Sequence, residues 1–275
     1  MSDIIKTNCT YIEEIAIGGQ KKVSKANHKD WGEVVIKEGK TSGTTSKTRI
    51  EREIRVLSSL NSVYYPKQFF FEFRAIDNVQ SEFIIVEEFI NGTTLRDVML
   101  YFDSEDKIIK LLRELLYGLA LIWYNDDGKI VHRDLKPENI IIRPDKTPCI
   151  LDLGIARLLE ESSLTPSIYP YGPCTPPYAS PEQLRNDKDI IDARSDFFSL
   201  GIVIGELILG YHPFDSKYIG LNSNIPENIL DDNHVNFALM GNLSEKYKIL
   251  VKKLLNPKPY QRFRHMQSIL NFLDN

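Results

Sequence analysis

Hydrophobic and polar positions change period along this chain, and the changes mark out its elements. From Tyr11 to Lys37, short β-prone runs alternate with Gly, Asn and Asp breaks, and Phe69 to Arg74 and Glu82 to Glu87 read as two further strands. An antiparallel sheet is predicted. Between these runs Ile50, Ile54, Val56, Leu57 and Leu60 take helical spacing within an arc of about 160°, and Glu53 falls inside that arc. A carboxylate in an apolar stripe needs a partner, or it bears a desolvation penalty. Farther on, Lys107 to Tyr124 carries Ile108, Leu111, Leu112, Leu115, Leu116 and Leu119 at helical spacing and predicts a long core helix. Asp196 precedes a run from Phe197 to Leu209 that is apolar on all sides apart from Glu206, which predicts a buried helix. Leu243 to Leu255 is amphipathic, and the pattern as a whole is that of an α+β chain.

The stretch between the two long helices carries the chemistry. Ile140 to Ile142 and Cys149 to Leu151 are β-prone, and Arg143-Pro144-Asp145-Lys146-Thr147 between them has turn composition. A fold-back centred near Asp145 and Lys146 sets Asn139 roughly opposite Asp152. Two oxygen ligands then meet at one end of a hairpin, which suits a hard cation such as Mg²⁺ with room left for phosphate. Asp134 is spaced to accept a proton from an attacking hydroxyl, and Lys136 to stabilise charge on a phosphoryl group in flight.

Read whole, His132-Arg133-Asp134-Leu135-Lys136-Pro137-Glu138-Asn139 followed by Asp152-Leu153-Gly154 resembles the signature of eukaryotic-like Ser/Thr protein kinases. The resemblance runs from about Tyr11 to about Phe272. It implies one bilobal domain over residues 1–275: a small antiparallel sheet lobe with one helix at about 11–87, a hinge at 88–92, and a larger, mainly helical lobe at 93–275. By the family's roles, Asp134 is the catalytic base, Asn139 and Asp152 are metal ligands, and Lys136 favours Ser/Thr over Tyr acceptors. Val34-Val35-Ile36-Lys37 resembles the strand whose lysine reaches the α- and β-phosphates, with Glu53 as its counter-ion.

The same resemblance assigns the nucleotide to Ile15, Gly18, Gly19, Val23, Val35 and Lys37, with Glu88 and Ile90 in the hinge. Ala16 and Lys21 replace two of the family's loop glycines, which weakens the expected phosphate cradle. Glu87 takes the gatekeeper position, where an apolar or Thr side chain is usual, so a neighbouring cation must pair it or the pocket must be wet. Thr94-Leu95-Arg96-Asp97 predicts a capping box opening a short helix. His132 is expected to brace the catalytic loop, and Arg133 to pair with a phosphate on Ser162, Ser163, Thr165 or Ser167, less so Tyr169. Thr175 to Glu182 resembles the peptide-binding segment, with Cys174 and Ser180 as departures, and Glu182 is expected to pair with Arg262.

Lys plus Arg total 34 against 38 Asp plus Glu, so a net charge of −4 gives no reason to expect nucleic acid or an anionic membrane as partner. The three cysteines have no metal-binding spacing and fit free thiols in a reducing, cytoplasmic setting. No run reaches the roughly 20 apolar residues of a membrane span, and the N-terminus lacks the pattern of a secretory signal. The expected activity is transfer of the γ-phosphate of Mg-ATP to protein Ser/Thr hydroxyls, with autophosphorylation and transient self-association. The alternative is a pseudokinase acting as a binding or scaffold module. A small-molecule kinase of the aminoglycoside phosphotransferase type fits poorly, because Lys136-Pro137-Glu138 and the Glu182 segment are both present.

Overall fold

The computed structural model describes residues 7–17, 21–42, 51, 54–77, 80–125, 130–151, 174–239 and 243–275. Its first part is a five-stranded antiparallel sheet of order β1-β2-β3-β5-β4, made of β1 (Cys9–Ile17), β2 (Lys21–His28), β3 (Gly32–Ser42), β4 (Gln68–Ala75) and β5 (Gln80–Glu88). Period-two alternation divides the sheet between two environments. Ala26, Val34, Ile36, Ile84 and Val86 form an apolar cluster on one face. The register Val23↔Lys37↔Ile85 and Lys25↔Val35↔Glu87 puts the intervening residues on the other face. There Ile85 and Phe83 pack with Ile54 of the helical stretch 54–59, so that helix lies on the Lys37 side of the sheet.

A three-stranded sheet, β6 (Thr93–Thr94), β7 (Ile140–Ile142) and β8 (Pro148–Ile150), begins the second part. Gly92 lies so close to β7 that a Cβ there would meet Ile141 Cγ2 at 2.5 Å and Ile142 O at 2.6 Å, which seats residue 92 on the hairpin of β7 and β8. The long helices of this part among the described residues are α1 (Glu105–Trp123), α2 (Ala193–Leu209), α3 (Glu245–Leu254) and α4 (Met266–Asp274), with short α-helices and 3₁₀ turns between them. Glu105 and Asp106 favour the N-terminus of α1, where backbone N–H groups lack partners. The α1 stripe of Leu111, Leu112, Leu115, Leu116 and Leu119 is buried in one continuous core with Phe197, Phe198, Leu200 and Ile204 of α2. Truncating one such leucine to Ala costs about 2–5 kcal/mol. Asp192 caps α2 by accepting from Arg194 N at 2.8 Å, and Gly210 ends it in the left-handed region at φ 75°. A sheet part and a mainly helical part give the α+β, two-lobed arrangement that the sequence resemblance implies.

Two expectations need correction. The hairpin pairs Ile140↔Ile150, Ile141↔Cys149 and Ile142↔Pro148, so its register is centred on Asp145 alone and runs one residue short of the expected one. Lys146 adopts φ 73°, and Arg143 N donates to Thr147 O at 3.1 Å, closing a three-residue loop in which a left-handed residue follows a turn. Asn139 therefore faces Leu151, whose N–H donates to Asn139 O at 2.8 Å, and Asp152 follows one step later. Thr94 and Asp97 do make capping-type contacts, with Asp97 N donating to Thr94 Oγ1 at 3.2 Å, but a turn and the 3₁₀ segment Met99–Tyr101 follow in place of a short α-helix.

Candidate active site

The catalytic segment is held from below by one buried carboxylate. Asp196, in the first turn of α2 and fully buried, accepts from Trp123 Nε1 at 2.7 Å, His132 N at 2.8 Å and Arg133 N at 2.9 Å. Burial pushes the Asp196 carboxyl up, while the neighbouring His132 and the N–H donors oppose the rise. Arg133, at φ 64°, is a non-glycine residue in the left-handed region, a conformation that needs surrounding bonds to hold it. Gln183 Nε2 supplies another by donating to Arg133 O at 2.8 Å.

His132 is fully buried and braces the same turn. Its Nδ1 accepts from Asp134 N at 3.2 Å, so Nε2 carries the proton and donates to Leu151 O at 3.0 Å. The ring thus ties the catalytic segment to the strand that leads to Asp152.

Three predicted residues meet above this support. Asn139 Nδ2 donates to Asp134 O at 2.8 Å and to Asp134 Oδ2 at 3.1 Å. Lys136 Nζ lies 3.3 Å from Asp134 Oδ2 and donates to Thr175 Oγ1 at 3.0 Å, while Thr175 Oγ1 donates to Asp134 Oδ1 at 2.7 Å. The Asn139 amide nitrogen faces Asp134, so its oxygen is the atom suited to a hard cation. Asp152, the other expected ligand, lies outside the described residues, as do Ser162, Ser163, Thr165, Ser167 and Tyr169. Groups of three or more His, Cys, Asp or Glu that could hold a metal are absent among the described residues.

On the sheet, Val23, Val35 and Lys37 share the face opposite the Val34 and Ile36 cluster. Ile15 on β1 is exposed, and Ile90 in the hinge is buried. Glu88 exchanges bonds with Lys67: its N–H donates to Lys67 O at 2.8 Å and its Oε2 accepts from Lys67 N at 3.2 Å, which fixes the start of the hinge. Gly18, Gly19 and Glu53 lie outside the described residues. The cation required by Glu87 is Lys37 itself, the two side chains forming an ion pair.

Sequence reasoning gave Arg96 only a place within a capping box, and the structure makes it a hub. Its Nε donates to Glu138 Oε1 at 2.8 Å and its Nη1 to Glu206 Oε1 at 2.7 Å, while Nη2 reaches Tyr178 OH. Tyr178 OH donates in turn to Glu206 Oε2 at 2.7 Å. This joins the segment around Glu138, the segment after β6, the segment around Tyr178 and α2. The signal was Glu206: a carboxylate in an otherwise apolar helix requires a cation from elsewhere in the chain. Glu182 and Arg262 pair as expected, at 2.7 and 2.9 Å, with Ser195 Oγ donating to Glu182 at 2.7 Å.

Comparison with known proteins agrees with this geometry. The protein kinase domain family matches residues 9–272. A probable serine/threonine-protein kinase PknB of Lactococcus lactis is 30% identical over 208 residues, covering 74% of this chain and 32% of its own length. The kinase pkn3 of Myxococcus xanthus is 29% identical over 217 residues, 74% of this chain and 38% of its own. PknB of Mycobacterium leprae is 37% identical over 131 residues, 47% of this chain and 20% of its own. The chain belongs to the protein kinase domain family. It spans well under half the length of these curated relatives.

Proposed function

We propose that this chain is a Ser/Thr protein kinase that uses Mg-ATP. The observation that carries the reading is the Thr175 hydroxyl, held between Asp134 at 2.7 Å and Lys136 at 3.0 Å. A β-hydroxyl side chain is the acceptor class such a pair handles. In the reaction, the substrate hydroxyl gives its proton to Asp134 as its oxygen bonds to the γ-phosphorus. The bond from that phosphorus to the bridging oxygen breaks, and ADP leaves. Lys136 offsets the charge spread over the phosphoryl oxygens, and Lys37 holds the α- and β-phosphates. Asn139 and Asp152 would hold Mg²⁺, which when bound neutralises the phosphates. Autophosphorylation of a hydroxyl within Ser162 to Ser167, with Arg133 pairing with the phosphate so formed, would raise activity; a variant with Ser162, Ser163, Thr165 and Ser167 all changed to Ala should then lose activity.

The test is purified protein with γ-labelled ATP, Mg²⁺ and a basic acceptor protein. Asp134→Asn should lower kcat by about 10²- to 10⁴-fold with nucleotide binding retained. Lys37→Ala should raise the KM for ATP. Wild-type protein that binds nucleotide and transfers no label to any acceptor or to itself would overturn the proposal in favour of a scaffold role.

A further inference from the structure

Lys37 and Glu87 are both buried, at 8% and 6% exposure, and their ion pair is a property of the sheet. Register places Glu87 opposite Val35 and Lys37 opposite Ile85, so the two side chains are diagonal neighbours on one face of the β3–β5 pair. The carboxylate is itself fixed, because Gln68 Nε2 donates to Glu87 Oε2 at 3.1 Å from the neighbouring strand β4. That bond also sets the amide orientation, since a flipped Gln68 would point its oxygen at the carboxylate. Gln68 Oε1 is left buried with no hydrogen-bond partner among the described residues, a cost accepted at this point of the sheet.

An ammonium has three N–H donors, and the pair with Glu87 uses one of them. A lysine stem is otherwise flexible, and the ion pair restricts it before nucleotide arrives. We propose that Glu87 is a positioning residue for Lys37, a counter-ion carried by the sheet itself that preorganises the lysine for the phosphates. Lys37 is then oriented by strand pairing, whatever further contacts it makes. The inference rests on the nucleotide-binding reading above and deepens it.

The experiment is a ligand ladder by calorimetry on the intact chain, with adenosine and ADP as probes. Glu87→Gln keeps the shape and removes the charge; it should bind ADP about tenfold more weakly and adenosine as the wild type does. In a Lys37→Met background the same change should have no further effect on ADP. Glu87→Asp, with the charge on a shorter arm, should fall between wild type and Gln, and it serves where Gln compromises folding. Three results would overturn the idea: ADP binding unchanged or tighter in Glu87→Gln, an equal loss for adenosine, or a loss that persists without Lys37. Wild-type protein that binds neither ligand would instead remove the nucleotide reading, and this inference with it.

Discussion

Thr175 Oγ1 bridges the Asp134 carboxylate and the Lys136 ammonium, at 2.7 and 3.0 Å. The bonds couple the segment that begins at Thr175 to the two groups proposed to handle the acceptor hydroxyl.

Replacing that hydroxyl should therefore affect turnover. Thr175→Val is expected to lower kcat by about 10- to 100-fold with the KM for ATP nearly unchanged, and Thr175→Ser to recover most of the rate. Steady-state kinetics on the three proteins check this. Equal kcat values for Val and Thr would show that the bridge is incidental.

Asp196 should matter for stability as well as for rate. Asp196→Ala leaves the indole N–H of Trp123 and the backbone N–H groups of His132 and Arg133 buried without their acceptor, and is expected to cost about 3 kcal/mol or more. Chemical denaturation measures it. A variant within about 0.5 kcal/mol of wild type would contradict the assigned support role.

Arg96 is expected to act on the protein substrate. Arg96→Leu leaves Glu206 and Tyr178 without their cation, and should raise the KM for a peptide acceptor several-fold while the KM for ATP holds. Adding Glu206→Gln should restore stability, because the uncompensated charge is then gone. A double variant as unstable as the sum of its parts would break the link between the two residues.

The Glu182–Arg262 pair predicts a pH dependence. Burial pushes the Glu182 carboxyl up, but the Arg262 guanidinium and the Ser195 hydroxyl more than reverse this, leaving it below its ordinary value of 4.5. With the folded value depressed, the stabilisation is complete above the unfolded value and is lost as pH falls below about 4.5 through the folded value. Stability measured against pH should thus fall less steeply in acid for Glu182→Gln, even though that variant is less stable at neutral pH. Parallel acid limbs for the two proteins would remove the assignment.

Alone, the sequence determined what repeats locally or follows from residue type. β-prone runs between breaks marked the sheet strands, helical spacing marked α1 and α3, and a run apolar on all sides marked the buried α2, because apolar positions must reach a core wherever that core lies. The candidate catalytic residues were legible because Asp134, Lys136 and Asn139 stand close together in the chain, and short separations leave few ways to place them apart. The hairpin register was missed by one residue, since a left-handed Lys146 depends on how the loop closes and not on composition.

Only the tertiary structure decided the partners of the buried charges. Glu87 called for a cation or a wet pocket and Glu206 interrupted an apolar helix; Lys37 and Arg96 pair with them from other strands and segments. Charge alone names no partner, because many cations in the chain would satisfy it and long-range packing selects which one arrives. Thr175 reaches Asp134 in the same way, across 41 positions of sequence. Such contacts are set by where the core brings the backbone, and no local pattern encodes that.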